Sequence, residues 1–139
     1  MMEKIIEIIF ELKSSCNEKE LLIRNKLKLS PAEFRGVLVL TPGTINPCKK
    51  LCSKMGLSAS RGSRVVEKLM KNGYLKEVKN NIDRRVMNIT LTVKGIKTHG
   101  KITSMLNDCE KEISKKISRS ERSSLVNSLS KIKDVLAYK

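Results

Sequence analysis

The sequence predicts a mainly α chain carrying one small β-hairpin, and three observations predict it. Apolar residues recur at helical spacing along most of the chain, as in Ile5, Ile9, Leu12 and Cys16, or Ile102, Leu106, Cys109, Ile113 and Ile117. Helix starts and breaks are legible locally, above all in Ser30-Pro31-Ala32-Glu33 and Met55-Gly56-Leu57. Two short strand-like runs, Leu75–Val78 and Val86–Leu91, flank the polar, cationic turn Lys79-Asn80-Asn81-Ile82-Asp83-Arg84-Arg85.

In chain order, Glu3 to Ser15 reads as an amphipathic helix that breaks or kinks at Ser14-Ser15-Cys16-Asn17. A second piece with Leu21, Leu22, Ile23 and Leu27 follows. Ser30 as N-cap, Pro31 at N1 and Glu33 at N3 start the next helix, which carries Phe34, Val37, Leu38 and Leu40 and stops before Pro42-Gly43. Asn46 is expected to cap a helix bearing Leu51 and Met55 and ending at Gly56. Ser58 or Ser60 caps its successor, where Val65, Val66, Leu69 and Met70 mark the buried face. Arg61, Arg64, Lys68 and Lys71 form a cationic stripe on the opposite face. Gly73 is the expected C′ residue. After the hairpin, Leu91-Thr92 begins a long helix with a coiled-coil-like seam, and Ser118 or Ser120 caps a last helix with Leu125, Leu129, Ile132 and Leu136.

Helix, turn, helix and basic hairpin, in succession from Pro47 to Gly95, is the layout of a winged helix-turn-helix, a fold piece that reads DNA. Charge agrees. The 139 residues carry a net charge of +15, which points to a polyanionic partner. Residues 48–101 hold 14 Lys/Arg against 3 Asp/Glu, so most of the excess falls on the predicted reader. Aromatics make up 3% and Trp is absent, so stacking on single-stranded bases is not the expected mode.

A single domain, 1–139, is expected. A chain of this length has little core for three terminal apolar seams, and packing across a two-fold axis buries them. Residues 1–28 and 96–139 are therefore read as dimerisation helices of a homodimer and 29–95 as the winged helix-turn-helix; an ordinary single-chain bundle is the alternative. Met1–Lys13 interleaves apolar residues with Glu and Lys, so no signal peptide is expected, and no run of about 18 apolar residues suggests a membrane span. A cytoplasmic, reducing setting follows, in which structural disulfides are not expected.

The chain resembles the MarR (multiple antibiotic resistance regulator) family of transcription factors over nearly its whole length. LSPAEFRGVLVL resembles the family's second helix, and LCSKMGLSASRGSRVVEKLMKNGYL its two-helix reader. IDRRVMNITLTVKG is similar to the wing signature, Asp-x-Arg, a strand, then Leu-Thr-x-x-Gly. The resemblance implies a two-fold dimer with a recognition helix in each major groove and a wing near each minor groove. It implies that Ser58, Ser60, Arg61, Ser63 and Arg64 face the major groove, that Arg85 enters the minor groove steadied by Asp83, and that Arg84 meets phosphate. Arg61-Gly62 departs from the family pattern, which has a small hydroxylic then an aliphatic residue; Gly62 either permits close backbone approach or loosens the helix.

Arginine forms bidentate bonds to guanine, so Arg61 and Arg64 are the candidates for base readout, with phosphate contact alone as the other reading of Arg64. Lys68 suits phosphate neutralisation. The expected function is a sequence-specific regulator of double-stranded DNA, a repressor switched by a small-molecule effector or by thiol oxidation. The alternative is a non-specific architectural DNA-binding protein. No enzymatic arrangement is visible. Four cysteines, Cys16, Cys48, Cys52 and Cys109, leave three readings: apolar packing, redox sensing, or a zinc or iron–sulfur site through four thiolates. Cys48 and Cys52 share a helix face, and Cys48 falls in a first turn, where the helix N-terminus is expected to lower its pKa. No cofactor is otherwise expected.

Overall fold

The structure is a computed structural model that describes residues 4–79, 82 and 85–137. Its elements run α1 (Ile5–Leu27), α2 (Pro31–Leu38), β1 (Asn46–Pro47), α3 (Cys48–Met55), α4 (Ala59–Lys71), β2 (Leu75–Val78), β3 (Asn88–Leu91), α5 (Val93–Lys116) and α6 (Arg119–Leu136). It is the mainly helical, winged arrangement that the sequence predicts, with a small antiparallel sheet in the order β1-β3-β2. The chain divides into two compact units, Met1–Thr103 and Ser104–Lys139.

In the first unit, Leu51, Leu69, Ile89, Ile102 and Val37 are completely buried and form the aliphatic centre. Ser30 caps α2 in a full capping box: its hydroxyl accepts from Glu33 N, and the Glu33 carboxylate accepts from Ser30 N at 3.0 Å. Ser58, not Ser60, caps α4 by accepting from Arg61 N. Gly56 and Gly73 take left-handed backbones at φ 67° and 82°, ending α3 and following α4.

Three local expectations need correction. Ser14-Ser15-Cys16-Asn17 does not break the first helix, and α1 continues through all four. These residues are only weak helix formers, and without Gly or Pro the helix propagates past them. Asn46 does not cap α3; Pro47 is the N-cap residue and no side chain caps that end. Asn46 and Pro47 instead pair with Ile89 and Asn88 as a third strand, and the Asn46 amide donates to the Thr44 hydroxyl. The second wing strand begins at Asn88 rather than Val86.

Gly62 explains itself in packing. A Cβ there would lie 2.9 Å from Cys52 Cβ and closer still to Cys52 Sγ. The glycine is buried in α4 and lets that helix seat directly on α3, so close approach, not looseness, is its role. Gly36 does the same for α2, since a Cβ there would meet Leu69 Cδ1 at 2.6 Å.

In the second unit, Ser118 and Glu121 form another capping box at the start of α6. Arg122 donates to Glu110 at 2.7 Å and to Ser114 at 3.0 Å, tying α6 to α5. No residue of α6 is buried, and Leu125, Val126, Leu129, Val135 and Leu136 are exposed. Ile5, Phe10, Leu12 and Leu22 of α1 are exposed as well.

Gly-to-Ala changes inside helices ordinarily stabilise by about 0.5–1 kcal/mol. Gly62→Ala is expected to reverse that sign and destabilise by about 1–3 kcal/mol, because the added methyl overpacks the α3–α4 contact. Urea unfolding of the two proteins measures it.

Candidate nucleic-acid interface

α4 sorts its side chains by direction. Gly62, Val66 and Leu69 are buried; Val65 and Met70 are half-buried. Ser58, Ser60, Arg61, Ser63, Arg64, Lys68 and Lys71 are all exposed. The spacings of three and four place Arg61, Arg64, Lys68 and Lys71 along one outward strip. Among the described residues none of these four forms a salt bridge. Four exposed cations along one strip of a helix produce a positive field, which the Glu33 carboxylate tempers at Lys68. The first-turn amides, next to the Ser58 cap, add the positive end of the helix dipole.

The C-terminal end of α4 is clamped. Asn72 donates its amide to Glu33 Oε2 at 2.9 Å, and Lys94 Nζ donates to the Asn72 carbonyl at 2.7 Å. The Lys94 ammonium also sits 4.5 Å from the Tyr74 ring centroid, a cation–π contact. Burial alone would raise the Glu33 pKa. Hydrogen bonds from Ser30 and Asn72, with the nearby Lys68 charge, outweigh it and hold the carboxyl below its ordinary value. Glu33 therefore caps α2 and anchors the reader helix at once. Sequence reading found its capping role through the Ser-Pro-x-Glu pattern, but nothing local signalled a bond to a residue 39 positions away.

The wing is the β2–β3 hairpin, with Leu75 opposite Leu91 and Val78 opposite Asn88. Leu75, Ile89 and Leu91 anchor it in the core. Arg85 and Lys79 are exposed on the connecting turn, and Ile82 is 98% exposed. Asp83 and Arg84, also candidates, lie outside the described residues. β1 ties the wing back to the start of α3, and Cys48 N donates to the Met87 carbonyl at 2.8 Å.

Among the described residues no three His, Cys, Asp or Glu side chains cluster to hold a metal. Cys16 is exposed on α1, and Cys109 is half-buried on α5. Only Cys48 and Cys52 are brought together, one turn apart on α3. The Cys48 pKa is raised, not lowered as its first-turn position suggested. Desolvation comes first, then the charge and hydrogen bonding of Cys52, and all of them raise it. His99 is half-buried, and its carbonyl accepts from the Thr103 hydroxyl. Among the described residues no helix is long and apolar enough to cross a membrane.

Comparison with known proteins agrees with this architecture. No family model matches the chain. A curated relative, the "HTH-type transcriptional regulator BilQ" of Clostridium symbiosum, is 29% identical over 87 residues, 58% of this chain and 60% of that protein. The chain thus matches less than two thirds of that relative's length. Streptococcus pneumoniae FabT, solved in complex with DNA, superposes with a TM-score of 0.81 at 19% identity, covering 96% of this chain and 97% of that one. A MarR protein from Peptoclostridium difficile gives 0.79 at 18% identity, covering 98% and 89%.

Fold and surface together define a winged helix-turn-helix protein. More particularly, the chain has the MarR-type fold, superposing over nearly its whole length on those structures.

Glu33 sets a pH dependence. Its folded pKa lies below the unfolded value, so its contribution is complete above the ordinary glutamate range and is lost as pH falls through the lowered folded value. Glu33→Gln is expected to be about 1–2 kcal/mol less stable at neutral pH, with the gap closing in acid. Denaturation midpoints of both proteins across the acid range check this.

Proposed function

We propose that this chain is a sequence-specific regulator of transcription, a repressor that binds double-stranded DNA as a homodimer in the cytoplasm and is not an enzyme. The observation that carries the reading is the exposed cationic strip of α4, presented by a helix whose other face is locked into the core. Each α4 enters a major groove, with Arg61 and Arg64 bidentate to guanine edges and Ser58, Ser60, Ser63 and Lys68 on the flanking phosphates. Arg85 reaches the adjacent minor groove, where narrow A/T-rich sequence concentrates negative potential. Arg84 meets phosphate and Asp83 steadies the wing.

The exposed apolar residues of α1 and α6 support the dimer, because such seams in a small protein ask for a partner. Residues 1–28 and 96–139 supply it, and 29–95 read the DNA. Two-fold symmetry makes the operator pseudo-palindromic, with half-sites about one helical turn apart. FabT, solved on DNA with the same fold, lends the reading weight. A small effector or a thiol reaction then acts as the switch, and needs only about 1–3 kcal/mol of coupling to change occupancy 5–150-fold.

Arg64→Ala and Arg85→Ala are each expected to weaken binding to duplex from upstream of the protein's own gene. A loss of about 1–3 kcal/mol is expected for Arg64, with the dimer intact by sedimentation. Equal affinity of the unaltered protein for that duplex and a scrambled one, at physiological salt, would instead mark a non-specific architectural protein.

A further inference from the structure

One pair of nucleophilic side chains lies at a mechanical junction. Cys48 and Cys52 are one turn apart on α3. Cys52 is 8% exposed and its sulfur fills the place where a Gly62 side chain would stand, against the first turns of α4. Cys48 is half-buried, opens to solvent, and its backbone is bonded to Met87 at the foot of the wing. A group bound across the two thiols therefore presses on α4 at Cys52 and is held at Cys48 by the residue whose backbone is bonded to the foot of the wing.

Distances select what that group is. Cβ atoms at i and i+4 of a helix are about 5–6 Å apart. A disulfide needs them at about 3.5–4.5 Å, so oxidation to Cys48–Cys52 would require α3 to unwind. One interposed atom bonded to both sulfurs spans the helical separation without that cost. With no third ligand among the described residues, zinc and cluster chemistry are poorly served. A soft centre satisfied by two protein sulfurs in a bent arrangement fits.

We propose that Cys48 and Cys52 form a dithiol site for trivalent arsenic, and that filling it releases the protein from DNA. With a monosubstituted arsenoxide, R–As=O, both thiols add to arsenic. Two As–S bonds form, the As=O bond breaks, and the two thiol protons leave with its oxygen as water. Arsenic stays trivalent and neither sulfur is oxidised, so no external oxidant is needed. The bridging atom and its substituent have no room beside Gly62. They displace the first turn of α4, which bears Arg61, or strain the Cys48–Met87 bond at the wing. The release step rests on the DNA-binding reading above; the site does not.

Phenylarsine oxide is the probe, with intact-protein mass and DNA affinity as separate readouts. The full chain, and a Cys16→Ser/Cys109→Ser variant, should each take up one arsenical with loss of one water. That adduct should resist excess glutathione and yield to a small dithiol. Cys48→Ser and Cys52→Ser should lose the glutathione-resistant adduct, with folding checked by circular dichroism. Loading should reduce DNA affinity at least about tenfold, a change of 1.4 kcal/mol, and the dithiol should restore it on the unaltered chain without any substitution. A resistant adduct that persists in Cys48→Ser and Cys52→Ser, or no such adduct on the folded chain, overturns the site. An adduct that forms with DNA affinity unchanged overturns the switch. Failure of the untreated protein to bind DNA contradicts the regulatory reading alone, since the mass readout still decides the site.

Discussion

Two helices of this protein come closer than side chains normally allow, and the exposed cationic strip depends on it. Gly62 lets α4 lie directly against Cys52 of α3. Protein interiors transmit rather than absorb such steric demands, because they are packed near crystal density. Once Gly62, Val66 and Leu69 are committed inward, helical periodicity forces Arg61, Arg64, Lys68 and Lys71 outward. The charge pattern is thus a geometric consequence of an uncharged contact.

The rest of the first unit holds that helix in place. Glu33 reaches from the start of α2 to accept from the Asn72 side-chain amide just past the end of α4, and Lys94 donates from α5 to the Asn72 backbone carbonyl. β1 joins the start of α3 to the wing strand β3. Reader and wing are therefore not independent appendages. Both connect to α3 within a turn or two of the Cys48–Cys52 pair, which makes that short helix the place where local chemistry reaches the cationic strip and the wing together.

Much of this was legible in the sequence, for identifiable reasons. Capping boxes at Ser30 and Ser118 and the glycines after α3 and α4 act over three or four residues, so local chemistry suffices to read them. The amphipathic split of α4 shows in its periodicity alone. Other features depend on distant partners. β1 has two residues and no period, and exists because β3 offers it hydrogen bonds. The continuity of α1 through Ser14-Ser15-Cys16-Asn17 reflects cooperative propagation, which single-residue propensities understate. The Cys48 pKa follows from burial and a neighbouring thiol rather than from its place in the helix. Gly62 was visible as a departure from the family pattern, but its purpose appeared only with Cys52 beside it. Asp83 and Arg84 were legible as a wing signature and lie outside the described residues.

The most direct measurement of the central claim is guanine methylation interference on duplex from upstream of the protein's own gene. Methyl groups at guanine N7 block the major-groove edge that arginine reads. Interference is expected in two short patches related by a two-fold axis and centred about 10 base pairs apart, one for each α4. Binding that is indifferent to methylation, or a single patch without a symmetry mate, would contradict the paired reader helices.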